Sequence, residues 1–451
     1  MKRNIMDTTD SQFLKGVFAP FRQEENFDQL EIQGKIPVDL QGILLRNGPN
    51  PQFDPVGAYH LFDGDGMVHA IRIKDGKASY DNRWVRTERF LQERKAGKAL
   101  LDVDHTTANT NIIAYQNHIL ALNEGEVPTE ILLTNLDTIG IFTFNGQITR
   151  PLTAHPRFDH KRQEFLTYSY TDPDGGLIYY RLNADQRVIA EHGINWPYSA
   201  MMHDFVNTEH YVIFPIFPCT LSFERARRGE SPCMWEGDLL NTYFIVTNQA
   251  GQEVMRIETN PCHVYHFGNA YEHGDCILIN ALVSKIEPLM PNRQGQTASI
   301  QDGAAHLARF TINLKKHSIH LEYLDKTPGE FPRFDERFNG YAYRHLYMSG
   351  QMSGHEGSDN PFDRIMHYDL HKEKITVHKF GDDIPTEPVF VPRSSEEGDG
   401  YLLVVVYRTK EDRSDVVILD ACRLDSEPIA VIKIPHRIPF GFHGNFVVQS
   451  V

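Results

Sequence analysis

The sequence predicts an all-β fold, with a seven-bladed β-propeller as its leading architecture. Three observations carry this. Short apolar runs alternate with turn signals, no long stretch has a 3.6-residue apolar period, and a strand–turn–strand pattern recurs seven times. The recurring anchors are Ile71, Thr134, Tyr180, Phe244, Phe310, Tyr368 and Leu419, spaced 63, 46, 64, 66, 58 and 51 residues apart. That spacing suits four-stranded blades with large insertions. A two-sheet sandwich or two β-domains would also fit the repeat.

The elements follow in order. Residues 1–33 read as an N-terminal extension packing on the body. The strand 68–73 runs into the hairpin signal Asp75-Gly76. Residues 83–104 are the best helix or loop candidate. The strands 112–115 and 119–122 flank Gln116-Asn117, and 401–407 and 416–419 flank a polar tip. No linker rich in Pro, Gly or Ser divides the chain, so 1–451 reads as a single domain.

Composition narrows the function. Lys and Arg total 45 against 60 Asp and Glu, a net charge of −15, so no basic stripe invites nucleic acid. No apolar run approaches the ~20 residues of a membrane span, and the first 16 residues lack the apolar stretch of a secretory signal. The five cysteines are odd in number and include no CxxC, which suits a reducing cytoplasm and offers no cysteine metal site. A GxSxG elbow and a P-loop are both missing, and Gly64-Asp65-Gly66 has two of the three dinucleotide glycines.

The 22 histidines stand out, and four share a setting. His155 lies in Thr153-Ala154-His155-Pro156, His203 in Met201-Met202-His203-Asp204-Phe205, His266 in Tyr265-His266-Phe267-Gly268, and His443 in Phe440-Gly441-Phe442-His443-Gly444. The first three sit roughly 25–45 residues before an anchor, where an innermost propeller strand begins beside the axis. His443 falls where the chain must return to close a ring. Any one of them alone is ordinarily a surface or hydrogen-bonded residue; convergence of all four would make a metal site. Neutral imidazoles suit Fe, Cu, Zn and Ni, and a set without carboxylate favours Fe(II) with positions free for dioxygen. Ligand imidazoles need an acceptor for their second N–H. Glu124 ends an apolar strand, Glu330 lies between Pro328 and Pro332, and Glu387 lies between Pro385 and Pro388. A carboxylate in such apolar company is costly without a partner.

Together these contexts resemble the carotenoid cleavage oxygenase family over nearly the whole chain. The resemblance rests on Gly34-Lys35-Ile36-Pro37, Leu45-Arg46-Asn47-Gly48-Pro49-Asn50, the run from Tyr59 to Met67, Asn109-Thr110-Asn111, Leu122-Asn123-Glu124-Gly125, the four histidine motifs, and Glu387-Pro388-Val389-Phe390-Val391. It implies a seven-bladed propeller whose loop and short-helix insertions cap one face over an axial Fe(II). The ligands would be His155, His203, His266 and His443, with Glu124, Glu330 and Glu387 each holding one imidazole. Thr110 would lean its methyl against an open iron position. His60 and His69 match no ligand position and read as structural.

Members of the family add O2 across a double bond of a polyene or stilbene and release two carbonyls. An apocarotenoid is the leading substrate, with a hydroxystilbene as the alternative. Stilbene-cleaving relatives resemble one another in a lysine where this chain has Asn123, and several carotenoid cleavers place Phe where it has Tyr265; both residues are tunnel candidates. An insoluble substrate implies peripheral membrane contact, for which residues 214–235 offer apolar bulk beside Arg225, Arg227 and Arg228. A propeller that only binds partner proteins is the non-enzymatic alternative. The oligomeric state is not legible.

Overall fold

A computed structural model describes residues 11–57, 59–100, 106–171, 176–351 and 362–448. The first ten residues of the expected extension and the end of the 83–104 segment lie outside them. The structure is all-β: antiparallel strands dominate, and the described residues include three short α-helices. The longest helix, Glu88–Ala96, occupies the expected segment; Thr87 caps its start by accepting from Phe90 N, and Gly97 ends it at φ 68°.

Local chemistry explains the hairpins. The strands Gly66–Lys74 and Lys77–Trp84 pair with Lys74 opposite Lys77, and the two residues between, Asp75 (φ 51°) and Gly76 (φ 71°), take the left-handed conformations that a two-residue hairpin needs. The strands Asn111–Tyr115 and His118–Leu122, and Gly400–Arg408 and Arg413–Asp420, form the other two hairpins expected from sequence.

Two compact units divide the chain. The first, within Met1–Ala154, His378–Ser395 and Asp399–Val451, carries three sheets. In one, the C-terminal strand Gly444–Val448 pairs with Gly42–Pro49, so the chain's end is stitched to its N-terminal region. In another, Glu31–Gly34 pairs with Ala430–Ile434; residues 31–33, expected to pack as an extension, are strand. Leu44, Ile71, Tyr80, Leu403, Ile418 and Ile432 make one of its apolar cores.

The second unit, within His155–Val377 and Glu396–Gly398, contains a four-stranded sheet from Arg157–Asp159 to Val188–Ile194. A second four-stranded sheet runs from Val206–Asn207 to Glu253–Thr259, and a longer one takes the strands from His263–His273 onward in chain order. Its cores centre on Tyr168, Phe205 and Phe214 in one cluster and on Phe244, Ile279 and Phe310 in another.

Six of the seven repeat anchors fall on strands: Ile71, Tyr180, Phe244, Phe310, Tyr368 and Leu419. Thr134 does not. Its strand, Thr129–Ile131, is three residues long and ends before it, leaving Thr134 in a turn.

The segment 214–235 also departs from expectation. Phe214, Ile216, Phe217 and Cys219 are buried on the strands Tyr211–Ile216 and Cys219–Leu221 and the link between them. A continuous apolar run here marks strand with both faces covered. Its cations divide: Arg225 is half-buried, whereas Arg227 and Arg228 are exposed. Arg225 donates to the carbonyls of Thr220 (2.6 Å) and Pro232 (2.9 Å), and Arg228 pairs with Glu224 and Glu230. No described helix is long and apolar enough to cross a membrane.

Candidate metal centre

Three of the candidate ligands stand close together in the second unit. His155 precedes the strand Arg157–Asp159, His203 precedes Val206–Asn207, and His266 lies within His263–His273. The register of that last strand shifts between Val264 and Phe267, so His266 sits in a bulge, a device that re-aims a side chain. Ring centroids are 4.3 Å apart for His155 and His203, 5.1 Å for His155 and His266, and 4.9 Å for His203 and His266.

The strands carrying these rings are locked by an ion pair that sequence reading missed. Arg157 grips Asp204 with two hydrogen bonds (2.8 and 2.7 Å) and donates to the Phe205 and Gly268 carbonyls, while Asp204 accepts from Phe267 N at 2.9 Å. The three segments meet one or two residues beyond each histidine. The acid directly after His203 was a visible signal; nothing in the sequence marked Arg157.

Glu330 lies 2.6 Å from His266 Nδ1. A carboxylate only accepts, so Nδ1 carries the proton and Nε2 is left with its lone pair. That lone pair faces His203 Nε2 at 3.1 Å, a separation that calls for a proton or a cation between them. Glu330 also sits at a register shift, accepts from Phe331 N (2.7 Å), and is followed by Phe331 at φ 56°, whose ring stacks on His266 at 5.3 Å.

In the first unit, His443 stands just before the strand Gly444–Val448. Its Nδ1 is 2.9 Å from Glu387 Oε1, and Gly444 N donates to Glu387 Oε2 at 2.8 Å. Glu387 too occupies a bulge, between Pro385 and Pro388. The backbone of His443 is held on both sides: its N–H donates to the Thr110 carbonyl (3.3 Å), and its carbonyl accepts from Asn47 N (2.9 Å).

The ring nitrogens offered by His155, His203, His266 and His443 all lie within 4.8 Å of one another. Four imidazole nitrogens at that spacing, two with tautomers set by carboxylates, are a donor set that fits a first-row divalent cation such as Fe(II).

The remaining sequence candidates take these places. Glu124 is half-buried in the turn after the strand His118–Leu122. Thr110 is buried, and its hydroxyl donates to Asn109 Oδ1 at 3.0 Å. The polar atoms of Asn123 are engaged internally: Nδ2 donates to Thr107 Oγ1 (2.9 Å) and Asn109 Oδ1 (3.0 Å), and Oδ1 accepts from Gly125 N (2.9 Å). Tyr265 is buried with its ring edge-on to His203 at 5.1 Å, and its hydroxyl donates to the buried Glu287. Burial, with Glu287 close by, raises the Tyr265 phenol well above its ordinary pKa, and burial raises Glu287 as well. His263, on the same strand, is pushed down to about 3 by burial and then by His266, so it is neutral. His60 and His69 lie outside the four-histidine group; His69 hydrogen-bonds Tyr80 Oη at 2.8 Å.

A family model described as retinal pigment epithelial membrane protein matches residues 18–448. The chain is 34% identical to an isoeugenol monooxygenase of Pseudomonas nitroreducens, over 96% of this chain and 97% of that one. It is 30% identical to carotenoid 9,10(9′,10′)-cleavage dioxygenase 1 of Arabidopsis thaliana, over 97% and 90%. A crystal structure of Pseudomonas brassicacearum lignostilbene dioxygenase superposes with a TM-score of 0.93 at 31% identity, covering 98% of this chain and 99% of that one.

Proposed function

The chain belongs to the carotenoid cleavage oxygenase family and is an oxygenase, and from that premise we propose that it is an Fe(II)-dependent dioxygenase that splits a carbon–carbon double bond of a conjugated alkene into two carbonyl products. The observation that carries this reading is the group of four imidazoles, free of carboxylate, with nitrogens within 4.8 Å of one another. His155, His203, His266 and His443 would hold the iron. A bound ferrous ion would supply the activation of dioxygen.

The protein's own part is binding and orientation. Glu330 and Glu387 keep a proton on Nδ1 of His266 and His443 and aim the Nε2 lone pairs inward. Glu124 would serve one further imidazole, which leaves one ligand without a glutamate. With its hydroxyl turned to Asn109, Thr110 has its methyl free to lean on an open position. Tyr265, its hydroxyl tied to Glu287, would offer ring surface to an apolar substrate. Placement of one double bond above the metal would then set which bond is cut.

For the substrate, we favour an aryl-substituted alkene of the phenylpropenoid or stilbene type. The likeness to an isoeugenol monooxygenase and to a lignostilbene dioxygenase supports it. The apocarotenoid reading stands second, favoured by Asn123: its polar atoms are already bonded within the chain, so it does not replace a lysine that meets a phenol. We further read the chain as one domain of seven four-stranded blades, supported by the antiparallel meanders and by the pairing of the C-terminal strand with Gly42–Pro49.

The test is to load the purified chain with Fe(II) and supply isoeugenol, a hydroxystilbene and an apocarotenal under isotopically labelled O2. Labelled aryl aldehyde from the first two supports the favoured reading. Cleavage of the apocarotenal alone supports the second, and no cleavage of any of the three contradicts both.

A further inference from the structure

We propose that Arg46 is a positioning residue of the metal centre, acting on His443 through Glu387. The inference rests on the reading of His443 as an iron ligand. Arg46 and Glu387 form an ion pair at 3.5 Å, and their side chains are 3% and 2% exposed. A carboxylate so withdrawn from water keeps its charge at high cost unless cations or N–H donors surround it. Such neighbours of Glu387 include His443 Nδ1 and Gly444 N along its hydrogen-bonding edges, and the Arg46 guanidinium beside Oε2.

The backbone holds Arg46 in that place. On Gly42–Pro49 it lies opposite Gly444 of one neighbouring strand and opposite His69 of the other. Its side chain passes over Gly444 so closely that a Cβ there would lie 2.5 Å from Arg46 Cδ. Position 444 has room only for glycine, because Arg46 Cδ and the Leu45 carbonyl oxygen would both lie 2.5 Å from a Cβ there, and the same glycine supplies an N–H to the carboxylate. His69 adds no charge to the site: burial, with His436 and Arg46 nearby, holds it neutral.

The fixed positive charge does two things to the ligand. It keeps Glu387 an anion aimed at His443 Nδ1–H, and it draws negative charge toward the guanidinium and away from the imidazole. His443 is thereby oriented as a ligand without gaining imidazolate character. Glu330 has no guanidinium or ammonium among its ion pairs in the described residues, so it serves as an internal control.

The experiment measures Fe(II) affinity by competition with a ferrous chelator, and the visible ligand-field bands of the Co(II)-loaded protein. It compares the unaltered chain with R46Q, R46K, E387Q, E330Q, R46Q/E387Q and R46Q/E330Q. The expected losses are about 10–100-fold for E387Q and about tenfold for R46Q. R46K should recover most of the loss, because it restores the charge without the planar fork. R46Q should cost less than about twofold in the E387Q background yet its full factor in the E330Q background. A merely structural role would multiply equally with both.

An R46Q affinity within about twofold of the unaltered chain overturns the proposal, as does an equal factor in both backgrounds. If R46Q does not fold, R46M and R46M/E387Q decide: the Co(II) bands should shift on loss of the charge when Glu387 is intact and not when it is Gln, and unchanged bands in both overturn the role. An unaltered chain that binds no Fe(II) overturns the four-histidine reading itself, and with it this role; that outcome is separate, because E387Q then changes nothing either.

Discussion

Glu387 and Glu330 each accept the Nδ1 proton of a candidate ligand, but in different surroundings. Glu387 is 2% exposed, paired with the buried Arg46 and bonded by Gly444 N. Glu330 is 21% exposed, has a single backbone donor, and steadies its histidine with a stacked phenyl ring instead of a cation. The comparison teaches that burial dictates the means. Where water is excluded, an ionised acceptor needs a fixed positive charge; where water reaches, solvation does part of that work. Both acceptors sit at strand irregularities within two residues of proline, since a regular strand would send the carboxylate across the sheet rather than toward the imidazole.

The largest expected effect lies beyond both carboxylates. Asp204→Ala leaves Arg157 without its bidentate partner where three histidine-bearing segments meet. It should cost about 3–5 kcal/mol of stability, read as a shift in the denaturant midpoint. An unchanged midpoint would mean that the segments are held by their cores alone.

Next comes the pair itself. Glu387→Gln should weaken Fe(II) binding about 10–100-fold, and Glu330→Gln by about tenfold or less, both read by chelator competition. Equal losses would erase the distinction drawn from burial. The smallest effect should come from Phe331→Ala. Loss of a stacked ring is worth ~1 kcal/mol, so iron affinity should fall about fivefold, beside the stability lost with a buried phenyl ring. A larger loss would make the ring, not the carboxylate, the main support of His266.

Much of this was legible in the sequence, and the remainder was hidden for physical reasons. The hairpin at Asp75-Gly76 and the six anchors on strands were readable because turn chemistry and apolar alternation are local. Thr134 misled because its strand is only three residues long. The run from Phe214 to Cys219 is buried strand, which its composition alone did not show because an apolar string does not say which way it faces. Glu330 and Glu387 announced themselves as charges set among prolines. The contacts of Arg157 with Asp204 and of Tyr265 with Glu287 stayed silent because each joins residues far apart in the chain, and nothing marked Arg157 or Glu287 where they stand. Arg46 was visible only as part of a motif; its proximity to Glu387 is a property of the fold.

The most direct test of the central claim is the iron content of the chain after Fe(II) loading and desalting, measured in the unaltered protein and in four variants with His155, His203, His266 or His443 replaced by Ala. Four shared ligands predict close to one iron per chain, with retention lost in every variant, His443→Ala included. Iron well below one per chain in the unaltered protein, or full retention when His443 is removed, would contradict it.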